Sequence, residues 1–414
     1  MKQYQLFIIS IYPFFFSLSP YIQRVYGIDK ELTTMLFLLP FMIHGLSLKK
    51  EFFKILKENK YYFILSIYTL LGLLWTEELF RGMYLVYNMI VAPFIAMSLI
   101  RTRNGLKVWR NFSWSVLLLS LLLHSDLLKV FFNYYEVQRF AYYYGDISLN
   151  PNSFGLWLNL SLAYFITIGI KLYQNKNLSN FRLLILIMNI TLTVYFMVIT
   201  VSRSTMIAGI VAVFLLIIIS KSKLVIVLTS FLVSFTLLCV LITLNMDGSN
   251  QGGFIIDRFS TLDLNGREDI WGIVFNTSFE SPDKFLFGVG TGGAEKEIGS
   301  AHSEGTVRIS DDGTARTSTH NVYLLFLLQG GVVGIFIYLM FLINLFKLTL
   351  TRIKSTFMHI GILYLITTFA IMSLTGNLIY NPIYPFLIAI ALALLTKKDN
   401  TKTYDTECFQ KMFI

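Results

Sequence analysis

Twelve apolar runs, separated mostly by short polar loops, constrain the fold of this chain more than any other feature. The runs approach the ~20 residues that a helix needs to cross the hydrocarbon core of a bilayer. They cover residues 5–23, 31–48, 61–75, 83–100, 112–131, 153–170, 182–200, 204–220, 223–243, 320–346, 357–374 and 380–396. Charged residues form only 14% of the chain, against roughly a quarter in a soluble domain. We therefore predict an all-α polytopic membrane protein with about 12 transmembrane helices, organised as one membrane domain over residues 1–414.

The charge of the loops predicts the orientation of these spans. With the N-terminus inside, the cytoplasmic segments hold 22 of the 34 Lys and Arg residues, and the short loops on the other side hold six. Short loops rich in Lys and Arg stay on the cytoplasmic side, so both termini are expected there. The net charge of +10 follows from this bias and requires no nucleic acid. The polar residues 245–319, between spans nine and ten, then form one large extracytoplasmic loop.

Neither the cysteines nor the glycines indicate a metal or nucleotide site. Cys239 falls inside span nine and Cys408 in the C-terminal tail, so they do not pair, and no Cys/His metal spacing is present. The segment GVGTGG, residues 288–293, formally matches a dinucleotide-binding pattern, but no βαβ unit surrounds it. We interpret it as a tight turn between two loop helices, and we expect no cofactor.

A helix is expected to begin near Arg267 in the large loop. Acidic residues follow in its first turn, where the helix dipole favours them, and Pro282 closes the segment. Its apolar positions at helical spacing are Ile270, Trp271, Val274, Phe275 and Phe279. Such a helix should lie on the membrane surface, with Arg267 at its N-terminal edge facing an anion.

Other polar residues lie at the same predicted surface. Arg203, in ITVSRSTM after span seven, is either an interfacial snorkel or an anion ligand. His320 and Asn321 open span ten, although a single His at a helix end is usually structural. NPNSFG, residues 150–155, opens span six, and an Asn-Pro turn with an N-cap is its ordinary interpretation. Two more polar residues in the outer half of span five are candidates for lining a cavity: His124 and Asp126.

The motifs taken together resemble the O-antigen ligase/polymerase family, a superfamily of membrane glycosyltransferases. The resemblance rests on SRS before one span, GR-x₃-W and F-x-G-x-G-x-G in the long loop, and HN-x-YL with a following GG in span ten. It covers residues 150–334 in motifs and the whole chain in layout. It implies a GT-C-like helical fold in the bacterial cytoplasmic membrane, with the active site on the extracytoplasmic face.

The resemblance also implies a chemistry. The donor is a glycan on undecaprenyl pyrophosphate, the acceptor is a sugar hydroxyl, and the transfer is inverting and metal-independent. Arg203 and Arg267 match the family's functional arginines, whose guanidinium groups bind the pyrophosphate, and His320 matches its essential histidine, a base for the acceptor hydroxyl. Five further residues are candidates for glycan or phosphate contacts: Arg258, Arg308, Arg316, Asn321 and Asn152. Solvated loop charges are the ordinary alternative for the three arginines among them.

Two functions within the family and one outside it stay open. A polymerase joins lipid-linked repeat units, whereas a ligase transfers the glycan to lipid A core. NPNSFG and the spacing from GREDIW to GVGTGG favour the polymerase, which also implies a chain-length regulator as a partner. A flippase for the same lipid-linked units would show related halves and ionisable residues at mid-membrane, and here the halves are unlike. An enzyme predicts that Arg203, Arg267 and His320 meet in one external cavity.

Overall fold

The structure, a computed structural model, describes most of the chain from residue 30 to residue 396. The described ranges are 30–46, 48–102, 105–125, 135–136, 142–144, 147–148, 151–174, 179–200, 202–220, 267–301, 308–309, 315–353, 358–381 and 383–396. The predicted spans 5–23 and 223–243 lie outside these residues, as do Asp126, Arg258, Cys239 and Cys408.

Fourteen α-helices are present in the described ranges. The first eight are α1 Lys30–Leu46, α2 Lys49–Glu58, α3 Lys60–Leu71, α4 Leu79–Thr102, α5 Gly105–His124, α6 Pro151–Gln174, α7 Asn180–Ile199 and α8 Arg203–Ser220. The other six are α9 Arg267–Ser278, α10 Pro282–Phe287, α11 Ala294–Ala301, α12 Val322–Arg352, α13 Met358–Met372 and α14 Tyr384–Thr396. Short 3₁₀ turns cover Gly72–Leu74 and Leu378–Tyr380.

Ten of the predicted spans coincide with apolar helices. Five are long and apolar enough to cross a membrane: α4, α5, α6, α7 and α12. The shorter apolar helices include α13 and α14, and all 13 residues of α14 are buried. At about 1.5 Å per residue, α14 is shorter than the hydrocarbon core. Because it is surrounded by protein, its length does not have to match the bilayer. The chain is thus a helical membrane protein by the length and composition of these helices.

Described residues at the ends of the helices form two groups of contacts, as expected if successive spans cross the membrane in alternating directions. At one end, Arg352, the last residue of α12, donates to Glu58 Oε2 at 2.9 Å, and Asn59 Nδ2 donates to Thr396 Oγ1 at 3.4 Å. These residues belong to segments predicted to share the cytoplasmic face. The segments predicted to share the other face likewise contact one another within the described residues 76–82, 281–301, 315–319 and 375–379, as described below.

Two small antiparallel sheets correct the expectation of a wholly helical chain. Strands β1 Tyr135–Glu136, β2 Tyr142–Tyr144 and β3 Ile147–Ser148 lie between α5 and α6, in the order β1-β2-β3. Strands β4 Arg308–Ile309 and β5 Ala315–Arg316 pair within the large loop. Strands of two or three residues cannot be predicted from the alternation of apolar and polar residues, because they are too short to show it.

The helix predicted at Arg267 is confirmed, and its apolar residues divide between two surroundings. Helix α9 begins at Arg267, and Pro282 opens the next helix, α10, instead of extending α9. Ile270 and Val274 are buried against the protein, whereas Phe275 is 46% exposed and Phe279 61% exposed. The five apolar residues therefore form no single face: part of the set packs on the protein, and part remains at the surface.

The glycine-rich segment is a turn between α10 and α11, as predicted, and it caps a break in α12. Helix α12 is kinked at Gly331, where φ is 61° and ψ is −162°, so the carbonyls just before the kink lose their helical partners. Val289 N donates to Leu328 O at 2.9 Å, and Gly290 N donates to Gln329 O at 3.1 Å. Tyr68 Oη donates to Gly330 O at 2.6 Å. Buried carbonyls must be paired, so the turn and the kink stabilise each other.

Replacing Gly331 with Ala should destabilise the protein strongly. A Cβ there would collide with the backbone of Leu286, and the left-handed φ already disfavours a side chain. We expect a loss of about 2–4 kcal/mol, seen as a lower thermal unfolding midpoint in detergent. Gly272→Ala is the matched control, because Gly272 lies within α9 and a Cβ there would meet nothing within 4 Å. A Gly331→Ala protein as stable as the Gly272→Ala protein would contradict this account.

Candidate functional site

The three residues matched to the family's catalytic residues all lie at the beginnings of helices. Arg203 is the first residue of α8, Arg267 is the first residue of α9, and His320 lies two residues before α12. All three side chains are half-buried. The first turn of a helix exposes unpaired N–H groups and carries a partial positive charge. The partial positive charge favours an anion near Arg203 and Arg267, whereas the first-turn N–H groups of α12 are already paired with Asn321 and Ser373.

Around Arg203, the structure joins the SRS and NPNSFG motifs. Ser202 Oγ accepts a hydrogen bond from Thr205 N at 3.3 Å, as an N-cap residue does, and donates one to Asn152 Oδ1 at 2.6 Å. A Cβ on Gly155 would collide with the Thr205 side chain, so glycine lets α6 and α8 approach this closely. Asn152 thus holds the residue next to Arg203, and its carboxamide oxygen is already engaged.

The helix that begins with Arg267 is tied to the segment that carries His320. Trp271, one turn after Arg267, donates from Nε1 to Thr319 O at 3.3 Å. Residues four apart lie on the same side of a helix, so Trp271 brings the side of α9 that carries Arg267 towards His320. Trp271 of GR-x₃-W is therefore hydrogen-bonded to Thr319, the residue that directly precedes the HN motif.

His320 has an unusual backbone conformation. Its φ is 50°, and it is the non-glycine residue with positive φ in the described part of the chain. His, like Asn and Asp, is enriched in this left-handed region among non-glycine residues. Strained residues persist where the surroundings hold them, and they concentrate at functional sites. The conformation thus points to a side chain whose direction is fixed by its neighbours.

The residue that holds His320 in place is Asn377, in the connection between α13 and α14. Its Oδ1 accepts from Thr319 Oγ1 at 2.6 Å and from Asn321 N at 3.2 Å. Its Nδ2 donates to Ser318 Oγ at 2.7 Å. Asn377 therefore binds the residues on both sides of His320. Nothing in the sequence singled it out, because an isolated Asn in a short loop carries no motif.

Asn321, predicted to contact substrate, is the N-cap residue of α12. Its Oδ1 accepts from Tyr323 N at 2.9 Å and Leu324 N at 3.1 Å, and the residue is only 7% exposed. An N-cap side chain satisfies first-turn N–H groups in this way. The sequence could have predicted this N-cap role, because Asn is among the preferred N-cap residues.

The beginnings of α8 and α12 meet the same end of α13. Val322 N donates to Ser373 O at 2.8 Å. The adjacent Met372 Sδ lies 3.7 Å from Asn159 Nδ2, which also donates to Thr205 O at 3.3 Å. The neighbourhoods of Arg203 and His320 are thus connected through α13 and α6, as those of Arg267 and His320 are through Trp271.

Of the secondary arginine candidates, Arg316 contacts the connection between α3 and α4. Arg316 Nη2 forms an ion pair with Glu78 Oε2 at 2.9 Å, and the Glu78 side chain is only 14% exposed. Arg308 pairs with Arg316 along the backbone of β4 and β5. Of the candidates in span five, His124 Nε2 lies 3.2 Å from the hydroxyl of Tyr195.

Further ion pairs connect α11 with residues 77–81, at the beginning of α4 and just before it. Lys296 Nζ donates to Glu77 Oε2 at 2.7 Å. This hydrogen bond lowers the pKa of the Glu77 carboxyl and raises the pKa of the Lys296 ammonium group. Arg81 binds Glu295 at 3.0 Å and lies over the Tyr380 ring, 4.5 Å from its centroid. No motif in the sequence singles out Arg81.

Comparison with known proteins points to the same segment. Residues 187–339 match a family model described as O-antigen ligase, and no curated protein matches the chain. In the described part of the chain, no three His, Cys, Asp or Glu side chains lie close enough to hold a metal ion. The matched residues run from α7 into α12 and include Arg203, Arg267 and His320. The predicted relation to the O-antigen ligase/polymerase superfamily is thereby confirmed over the segment that carries these three residues.

Proposed function

We propose that this protein is a polysaccharide polymerase that joins undecaprenyl-pyrophosphate-linked repeat units at the outer face of the bacterial cytoplasmic membrane. The observation that supports it most is the placement of Arg203, Arg267 and His320 at three helix beginnings whose surroundings are connected. Trp271 of α9 binds Thr319 beside His320, and the beginnings of α8 and α12 are connected through α6 and the end of α13. A pyrophosphate needs cationic partners, and helix beginnings with guanidinium groups supply them.

The proposed reaction is a direct displacement. The acceptor hydroxyl oxygen forms a bond to the anomeric carbon of the donor glycan, and the bond from that carbon to the phosphate oxygen breaks. The leaving undecaprenyl pyrophosphate keeps the electron pair, and Arg203 and Arg267 stabilise its charge. The His320 imidazole takes the proton from the hydroxyl. A single displacement inverts the configuration at the anomeric carbon, and no metal step is required by this scheme.

A ligase is the second candidate, and the description of the matching family as O-antigen ligase favours it. The two functions share the donor and differ in the acceptor. A flippase is a weaker alternative, since the candidate cations lie at helix beginnings and not in mid-span. A chain-length regulator belongs to the polymerase proposal as a partner.

Purified protein in vesicles, supplied with lipid-linked repeat units, tests these functions directly. A polymerase converts the donor alone into a ladder of longer lipid-linked glycans and releases one undecaprenyl pyrophosphate for each bond formed. A ligase produces nothing until lipid A core is added, and then labels that acceptor. Movement of the donor across the bilayer without any new glycosidic bond would instead identify a flippase and contradict the enzyme proposal.

Replacing Arg203 with Lys should impair the reaction, although the charge is kept. Lys lacks the planar fork that binds two phosphate oxygens together, and a lost hydrogen bond to a charged group is worth about 1.5–3 kcal/mol. We expect the rate of bond formation to fall about 10- to 100-fold. Arg316→Lys is the matched control, since Arg316 pairs with Glu78 and Lys can keep a single ion pair. Full activity in Arg203→Lys would show that two-point phosphate binding is wrong.

A further inference from the structure

The helix α2, Lys49–Glu58, has two faces of opposite character. It follows α1 after residues 47 and 48, and a single residue, Asn59, separates it from α3. Both of its neighbours are among the shorter apolar helices, so α2 lies at the level where these helices end. A helix in this position is restricted to the interface between hydrocarbon and water.

The face of α2 that packs on the protein carries both of its acidic residues. Glu51, Ile55 and Glu58 are spaced as one side of a helix, and Ile55 is fully buried. Glu58 Oε2 accepts from Arg352 Nη2 at 2.9 Å, and Glu51 Oε1 lies 3.8 Å from Arg101 Nη1. The negative charges of α2 are thus matched by arginines at the ends of α4 and α12.

The neighbouring, outward face of α2 carries three lysines around one phenylalanine. Lys50, Phe53, Lys54 and Lys57 follow the spacing i, i+3, i+4 and i+7, which places them on one side of the helix. Phe53 is 66% exposed, and the structure gives none of the three lysines an ion pair with a described residue. In the described residues, the acids of α2 contact Arg101 and Arg352 and not these lysines, so the three lysine charges of this face are not paired within α2.

We propose that this face of α2 binds the headgroups of anionic phospholipids. Lysine side chains reach from an interfacial helix to phosphate groups while their methylene stems stay in the apolar layer. Phe53 lies between these lysines and can contact the boundary of the acyl chains. A soluble acidic protein has no such apolar layer beside its negative charges. The position between two spans keeps the face at bilayer depth, and this favours lipid over a protein partner. The proposal is independent of the glycosyltransferase function.

Native mass spectrometry of the full-length protein in detergent, with added phosphatidylglycerol or phosphatidylcholine, tests the proposal. We expect the wild type to retain phosphatidylglycerol preferentially. A variant with Lys50→Gln, Lys54→Gln and Lys57→Gln should weaken that retention by about 10- to 100-fold, whereas the same three positions changed to Arg should keep it. Salt at about 0.5 M should also weaken retention by the wild type, because it screens exposed charges.

Three results would overturn the proposal. One is equal retention of phosphatidylglycerol by the Gln variant and the wild type. Another is equal retention of the zwitterionic and anionic lipids by the wild type, which would indicate apolar binding only. The third is displacement of the lipid by soluble glycerol phosphate, which would indicate a free-phosphate site. The salt test and the lipid comparison use the wild type, so they test binding of anionic lipid even if the Gln variant folds poorly.

Discussion

Cells that lack the native gene and carry His320→Ala should make no long polymer, while the variant protein is still inserted in the membrane. Loss of a general base lowers a rate by about 10²–10⁴-fold. Glycan profiling of the complemented cells measures the result. Single repeat units on the acceptor lipid identify the protein as the polymerase. Long chains that remain on undecaprenyl pyrophosphate identify it as the ligase.

The left-handed backbone at His320 provides a control that separates chemistry from conformation. Because φ is 50° there, Asn and Gly tolerate the position better than Ala does. Neither has an imidazole, so His320→Asn and His320→Gly should be as inactive as His320→Ala. Recovery of polymer in the Asn or Gly variant would show that the backbone conformation matters and that the imidazole does not. Unchanged polymer in all three variants would remove His320 from the mechanism.

Replacing Asn377 with Ala should lower turnover about 10- to 100-fold, although we place this side chain outside the reacting groups. The variant loses three hydrogen bonds to the residues flanking His320, and a displacement of about 1 Å in a catalytic group can have an effect of this size. We expect kcat to fall while KM changes little. The measurement is the rate of bond formation by purified protein over a range of donor concentrations.

Two variants make the Asn377 test specific. Asn381→Ala removes a neighbouring carboxamide that accepts only from Ile383 N, at 3.1 Å, among the described contacts, so it should leave kcat unchanged. Asn377→Ala combined with His320→Ala should be no slower than His320→Ala alone, because a positioning residue has nothing to position once the imidazole is absent. An additional loss in the double variant would mean that Asn377 acts by another route.

The helix at Arg267 shows what local sequence patterns can predict and what they cannot. Acidic residues in the first turn, apolar residues at helical spacing and a following proline predicted α9, and the structure begins the helix at that residue. The same pattern did not show which apolar residues are covered. Ile270 and Val274 are buried, and Phe275 and Phe279 are not, because burial depends on where α12 and α11 lie.

The glycine-rich turn illustrates a different limit. The glycines predicted a tight turn, and a tight turn is present between α10 and α11. Its partner could not be predicted, because a GG pair in an apolar helix does not by itself indicate a kink. The kink at Gly331 leaves carbonyls unpaired, and only the packed structure shows that Val289 and Gly290 supply the donors.

The sequence by itself determined the apolar helices, the helix at Arg267 and the motifs that carry the family resemblance. These are local properties, because a membrane helix pairs its backbone groups within itself and reveals its length through its hydropathy. Only the tertiary structure decided that Asn377 holds the residues beside His320, that Asn321 is a helix cap, and that the acids of α2 face the protein. Those contacts join residues far apart in the chain, and they depend on the rotation and depth of each helix against its neighbours, which hydropathy does not specify.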